Sequence, residues 1–287
     1  MSVSAAAPTE FVDVSGVPIG YRQFGPDRGV PLVLAQRFRG TIDHWDPALL
    51  DVLARERRVI VFDNAGVGIS GGKVSGSIPE MARSAAAFIE ALGYTQVDVL
   101  GWSMGGTVAQ WLALNHSHLV RRLVLAGTGP GAVPDSPAVP AKVWQVAGKP
   151  VNDDEDFLYL FFTEDGIGRR AGHTHLRRLD SRLAQSGSVV GFESVQAQVA
   201  AIGGYKSNDA AYPHLEKIPM PTLVANGTHD VMVPSYESFV LSQHLPDAQL
   251  ILYPHAGHGF LFQYPEQFGG HVLEFLSGPA TDHPAAL

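Results

Sequence analysis

Residues 99–110 read VLGWSMGGTVAQ. An apolar β-type run, Val97 to Leu100, enters on one side and a helix-like run leaves on the other. Between them Ser103 is flanked, one residue away on each side, by Gly101 and Gly105. This Gly-x-Ser-x-Gly stretch constrains the fold more than any other part of the chain. A strand, an abrupt reversal and a helix must meet at one point, and side chains at the two glycine positions would collide in so sharp a turn. The turn also sets Ser103 at a helix N-terminus, where free N–H groups and the helix dipole favour a developing anion. A plain helix-capping serine is the alternative. The strand–turn–helix context favours a hydroxyl pushed into the open as a nucleophile.

The rest of the chain supplies the sheet that such a turn requires. Phe11–Val14 and Val17–Phe24 predict a hairpin pair, and Leu32–Gln36 and Arg58–Phe62 predict compact buried strands. Further strands are expected at Val97–Leu100, Leu123–Ala126, Thr222–Ala225 and Gln249–Tyr253. Helical spacing separates them at 46–55, Pro79–Leu92, Ser103–Asn115, Tyr236–His244 and Glu266–Leu276. Strands divided by helices imply right-handed crossovers and a mostly parallel α/β sheet covered on both faces. One region breaks the alternation. From Gly129 to about Pro213 there is no clean strand, but a proline-rich opening followed by helical segments dense in aromatic residues. Residues 129–213 are therefore expected to form an inserted helical cap, with 1–128 and 214–287 as the core.

A chain of 287 residues, 45% of them hydrophobic, can bury one large core with such an insertion. A net charge of −8 argues against nucleic acid or an anionic membrane as partner. No apolar run is long enough to span a bilayer. The N-terminal MSVSAAAPTE has neither the basic region nor the apolar core of a signal peptide, so the cytoplasm is the expected compartment. The chain has no cysteine, which excludes a thiol nucleophile and a cysteine-held metal. His173 and His175 are close in sequence but have no clear carboxylate partner, and no metal or other cofactor is expected. Monomer and homodimer are both compatible with the sequence.

A serine hydroxyl needs a base, and the base needs an orienting acid. Residues 218–230 read as an apolar strand and a turn ending in Asp230, and residues 250–259 as another strand followed by His258 between two glycines. Both lie just past strand C-termini, on the edge where the serine turn opens. Ser103, Asp230 and His258 thus form an ordered set of nucleophile, orienting carboxylate and general base. Asp135 is an alternative acid; His255 and His229 lack the glycine frame or the position of a base.

At this point the chain resembles the α/β-hydrolase fold superfamily, in its capped esterase, lactonase and haloperoxidase-like branch. GWSMGG (101–106), FDNAGVGIS (62–70), NGTHDVMVP (226–234) and AGHG (256–259) carry the resemblance, with Pro265 and Phe275-Leu276 closing it. It runs from about residue 10 to 277. It implies an eight-stranded, mostly parallel sheet with an inserted helical cap, and a serine hydrolase that cleaves a small carboxylic ester or lactone through an acyl-enzyme. It also leaves room for carbon–carbon bond hydrolysis, perhydrolysis, or a ligand receptor that retains the triad.

The sequence departs from the family pattern in one place. The loop after the strand at 32–36 usually begins His-Gly and supplies one oxyanion donor; here Gln36 and Arg37 occupy those positions. By alignment to the pattern the backbone N–H of Phe38 is the expected donor, together with that of Met104, and neither depends on the missing glycine. Arg37 and Arg39 flank Phe38. They are expected either to pair with Asp43, Asp46 or Asp63, or to grip a substrate carboxylate such as that of a half-ester. Trp144 in the cap completes the candidate substrate contacts.

Overall fold

The computed structural model describes residues 2–186 and 189–278. Residues 279–287, assigned above to the core, and 187–188, assigned to the cap, lie outside the described residues. The short helix α1 (Val3–Ala6), capped by Ser2, precedes a hairpin of β1 (Glu10–Val14) and β2 (Val17–Phe24). Ser15 and Gly16 at its tip have φ of 54° and 86°, the paired left-handed conformation of a tight hairpin turn. Then follow β3 (Leu32–Ala35), α2 (Pro47–Leu53), β4 (Val59–Phe62), α3 (Ile78–Ala91), β5 (Val97–Trp102), α4 (Met104–Asn115) and β6 (Val120–Ala126). After the insertion come β7 (Thr222–Gly227), α9 (Ser235–His244), β8 (Ala248–Tyr253), α10 (Phe260–Gln263) and α11 (Pro265–Ser277). The helices of the insertion are α5 (Ala141–Ala147), α6 (Asp154–Phe161), α7 (Gly166–Ser186) and α8 (Phe192–Ser207).

The strands form one eight-stranded sheet in the order β1-β2-β4-β3-β5-β6-β7-β8. β2 is antiparallel to both of its neighbours, and the pairs from β4 to β8 are parallel. The strands are apolar at successive positions because both faces are covered. Leu32 and Leu34 point into the layer shared with α2 and α11, and Val33 into the layer shared with α3 and α4. Val59 and Val61 alternate with Ile60 and Phe62 in the same way, as do Val124 and Ala126 with Leu123 and Leu125.

The segment from 129 to 213 contains no strand among the described residues. Its two ends meet. The Tyr212 amide donates to the Pro130 carbonyl at 2.9 Å, and the buried Tyr205 hydroxyl reaches the Gly129 carbonyl at 3.1 Å. One tie from this segment to the core is ionic. Asp46 caps α2 through the Ala48 amide, and its carboxylate also accepts from His175 Nδ1 at 2.6 Å and from the Arg178 guanidinium of α7. His175, weighed above as half of a metal pair, instead stacks on Phe262 at 4.4 Å and anchors this junction.

Candidate active site

The serine turn has the geometry its glycines imply. Ser103 follows β5 at φ 57° and ψ −120°, and α4 starts at the next residue. Its amide bonds the Ala126 carbonyl of β6 at 2.9 Å, and its carbonyl accepts the Thr128 hydroxyl at 2.9 Å, so backbone contacts on both sides hold the strained conformation. A Cβ at Gly101 would overlap the Gly105 carbonyl oxygen, and one at Gly105 would overlap that of Ala35. The two glycines therefore serve the close approach of α4 to β3 and β5.

Asp230 and His258 come together on the loops after β7 and β8. His258 Nδ1 lies 2.6 Å from Asp230 Oδ2, with both side chains fully buried. The other oxygen of Asp230 accepts the amides of Met232 and Val233 at 2.8 and 2.9 Å, which fixes the carboxylate. A carboxylate oxygen can only accept, so Nδ1 carries the proton and Nε2 is the basic nitrogen. His258 Nε2 is buried and has no hydrogen-bond partner among the described residues. Ser103 and His258 line the same cavity, of about 490 Å³. No hydrogen bond joins the two; in unliganded sites such bonds commonly close only around substrate. Asp135, the alternative acid, is exposed on the proline-rich loop.

The glycine frame of His258 has its own physical reason. The Gly259 amide donates to the Phe161 carbonyl at 2.6 Å, and a Cβ at Gly257 or Gly259 would stand 2.9 or 3.0 Å from that oxygen. Helix α6 thus ends directly on the histidine loop. Trp102 is fully buried behind it and donates its indole N–H to the His258 carbonyl at 3.2 Å.

The loop after β3 keeps its shape without the usual His-Gly. Gln36 Oε1 accepts the Arg37 amide at 2.8 Å, and Gln36 Nε2 donates to the Thr41 carbonyl at 2.9 Å, so one side chain staples residues 36–41. The amides of Phe38 and Met104 donate to no acceptor among the described residues. Phe38 lines the cavity beside Ser103.

The three candidate substrate contacts separate. Arg39 is committed to structure: its guanidinium donates to the carbonyls of Ala147, Lys149 and Pro150 and to Asn152 Oδ1, at 2.7 to 3.2 Å, while its amide donates to Gln198. Trp144 is a correction. It is 49% exposed, carries Lys206 Nζ 4.9 Å above its ring, and does not line the cavity; on the short α5 the apolar positions that turn inward are Val143, Val146 and Ala147. Arg37 lines the cavity and has no carboxylate partner among the described residues. The expected partners are engaged elsewhere: Asp43 with Arg22, Asp46 with His175 and Arg178, and Asp63 with the amides of Ile42 and Ile69. Burial pushes the Asp63 carboxyl up to about 7, against the pull of those amides.

One cavity residue has no conspicuous sequence signal. His44 lies on the wall near Arg37, in a capping box with Thr41, and the Thr41 amide donates to its Nδ1 at 3.0 Å. A Thr-x-x-His pair at the start of a short helical turn was the only local clue.

The fold and this arrangement define an α/β hydrolase. Residues 30–265 match the alpha/beta hydrolase fold family, and the chain belongs to it. It is similar to an alpha/beta hydrolase fold protein from Chitinophaga pinensis, with 34% identity and a TM-score of 0.88 over 96% of this chain and 100% of that one. A protein of Azorhizobium caulinodans, provisionally named carbamate hydrolase RutD, is 28% identical over 86% of this chain and 91% of its own length. The 2-hydroxy-6-oxo-6-(2'-aminophenyl)hexa-2,4-dienoic acid hydrolase of Metapseudomonas resinovorans is 26% identical over 96% of this chain and 93% of its own. The chain is thus a hydrolase of this fold. Among the described residues no helix is long and apolar enough to cross a membrane.

Proposed function

We propose that the protein hydrolyses a small carboxylic ester or lactone with Ser103 as nucleophile. The observation that carries this reading is His258, held at Nδ1 by Asp230 and left with a buried, unpartnered Nε2 on the cavity that Ser103 lines. In the first half-reaction Ser103 Oγ bonds to the carbonyl carbon as its proton passes to His258 Nε2. The carbonyl oxygen becomes an oxyanion, stabilised by the amides of Phe38 and Met104. The carbon–oxygen bond to the alcohol then breaks, and His258 returns the proton to the leaving oxygen. Water, deprotonated by His258, attacks the acyl-enzyme; the acid leaves and Ser103 recovers its proton. The sequence requires no cofactor, and its substrate is a small molecule held under α6 and α7.

A second reading, hydrolysis of a carbon–carbon bond next to a ketone, is favoured by the likeness to the Metapseudomonas hydrolase. It uses the same residues and differs in the bond broken.

The test is turnover of p-nitrophenyl esters of increasing acyl length by the wild type and by Ser103→Ala, with fluorophosphonate labelling in parallel. Turnover and labelling that both disappear in the variant support the reading. Ester turnover that survives in Ser103→Ala, or a wild type that neither turns over nor labels, overturns it. Labelling without ester turnover favours the carbon–carbon reading.

A further inference from the structure

Arg22, as buried as Arg37, has Asp43 as its anionic partner, and the half-buried Arg121 and Arg178 have Asp98 and Asp46. Arg37 has none among the described residues. It is only 8% exposed, and among the described residues the one hydrogen bond of its guanidinium runs from Nη1 to the Phe38 carbonyl at 2.7 Å. Its Nε is buried and has no hydrogen-bond partner among the described residues. The guanidinium carbon lies 5.1 to 5.6 Å from the ring centroids of Trp102, Phe157 and Phe161. Those faces soften the burial of the charge but do not neutralise it. Burial, with the nearby charge of Arg39, pulls the guanidinium down to about 9, so it remains a cation at neutral pH. A buried charge without a counter-ion is costly, and it is retained where something else supplies the counter-charge.

His44 adds a second donor to the same wall. Its Nδ1 accepts the Thr41 amide, so the neutral ring carries its proton on Nε2. Burial and the charge of Arg37 push its pKa down to about 3, which keeps the ring neutral. The carboxylates that also line the cavity, Asp153 and Asp154, are exposed, and Asp153 caps α6 through the Asp156 amide; neither bonds Arg37.

We propose that Arg37 and His44 form an anion subsite that holds a carboxylate carried on the acyl part of the substrate. This rests on the ester or lactone reading above and narrows it to half-esters of dicarboxylic acids and to lactones bearing a free carboxylate. The acyl side follows from the connection of the two devices. Arg37 bonds the carbonyl of Phe38, the residue whose amide is proposed to hold the oxyanion, so the carboxylate and the scissile carbonyl are read by adjacent residues of one stapled loop. A planar guanidinium matches a carboxylate with two parallel N–H donors, which a lysine ammonium does not reproduce.

The experiment compares kcat/KM for mono-p-nitrophenyl succinate, p-nitrophenyl butyrate and 4-carboxyphenyl butyrate in the wild type, Arg37→Met, Arg37→Lys and His44→Asn. Asparagine keeps an acceptor for the Thr41 amide and deletes the Nε2 donor. The wild type is expected to prefer the succinate monoester. Its ratio over butyrate should fall about 30-fold in Arg37→Met, with a smaller fall in Arg37→Lys and about 5-fold in His44→Asn. An unchanged ratio overturns the subsite. A preference for 4-carboxyphenyl butyrate that Arg37→Met abolishes overturns the acyl-side assignment. A separate measurement does not depend on turnover: calorimetric titration of succinate into Ser103→Ala, with and without Arg37→Met. Binding that weakens at least about tenfold with Arg37→Met supports the subsite even if the hydrolytic reading fails. Equal or absent binding in both proteins overturns it.

Discussion

Replacing Asp230 by asparagine tests the central geometry with almost no change in shape. One oxygen of Asp230 accepts two backbone amides, from Met232 and Val233, and the other accepts His258 Nδ1. An asparagine has a single oxygen to serve both sides. If its NH2 group faced the loop, two backbone donors would meet a third donor, at about 1–3 kcal/mol for each buried group left unmade. The oxygen therefore stays with the loop, and the NH2 group turns to His258. Nδ1 must then accept, the proton moves to Nε2, and a protonated Nε2 cannot take the proton of Ser103. In a site where the imidazole is held but in the wrong tautomer, kcat falls by about 10⁴. At 1.36 kcal/mol per factor of ten this is about 5 kcal/mol of transition-state stabilisation. The assay is steady-state hydrolysis of a p-nitrophenyl ester, with thermal unfolding of the same preparations. The expected result is a loss of that order with a midpoint close to wild type. A loss under about tenfold in a stably folded variant would refute the assignment of Asp230, or of His258 as the base.

Other expectations follow from the same contacts. Gly105→Ala drives a methyl group into the Ala35 carbonyl and to 2.8 Å from that of Gln36; a loss of more than about 3 kcal/mol in urea unfolding is expected, and a loss under 1 would contradict the packing described. Trp144→Ala should leave kcat/KM within about twofold of wild type, because the ring is on the surface and a lost side chain there is normally near neutral. Burial pushes the Asp46 carboxyl up, but hydrogen bonds from His175 and Arg178 outweigh it and hold it below the ordinary 3.8. A depressed carboxyl contributes stability that is present above its unfolded value and lost as pH falls through the folded one. Urea midpoints should thus drop below about pH 4 in the wild type and more shallowly in Asp46→Asn, which should also be about 3–5 kcal/mol less stable at pH 7. Parallel pH profiles for the two proteins would remove Asp46 from the acid response.

What could be read in the sequence was local, and the reason is physical. Strand identity came from apolar runs such as Val59–Phe62, which are continuous because both faces are covered. The elbow came from a steric rule acting within five residues, so Gly101 and Gly105 announced it. Elements that depend on distant partners were hidden. Arg37 and Arg39 are indistinguishable by composition and spacing. Yet the Arg39 guanidinium finds four acceptors between residues 147 and 152, and that of Arg37 finds one among the described residues, the carbonyl of the residue next to it. Which arginine is spent on structure is decided by where the end of α5 lands, more than a hundred residues away. The same holds for Trp144, expected inward and found outward, and for His175, whose partner Asp46 lies 129 residues before it.

The departure at residues 36–37 is the place where sequence and structure bear on each other most closely. The oxyanion loop lacks the family's His-Gly pair. Gln36 compensates by bonding residue 37 with one end of its amide and residue 41 with the other, closing the loop by a side chain. That leaves position 37 able to carry a long side chain without loosening the turn. The residue there is an arginine, buried and without a counter-ion among the described residues, on the cavity of Ser103. If the arginine served only to fill space, an apolar residue would fill it without the desolvation penalty. Arg37→Met therefore separates the two accounts by sign. A packing role predicts equal loss on charged and neutral esters, or a more stable protein with no change in preference. A carboxylate-reading role predicts a protein as stable or more stable whose preference for the anionic ester has collapsed.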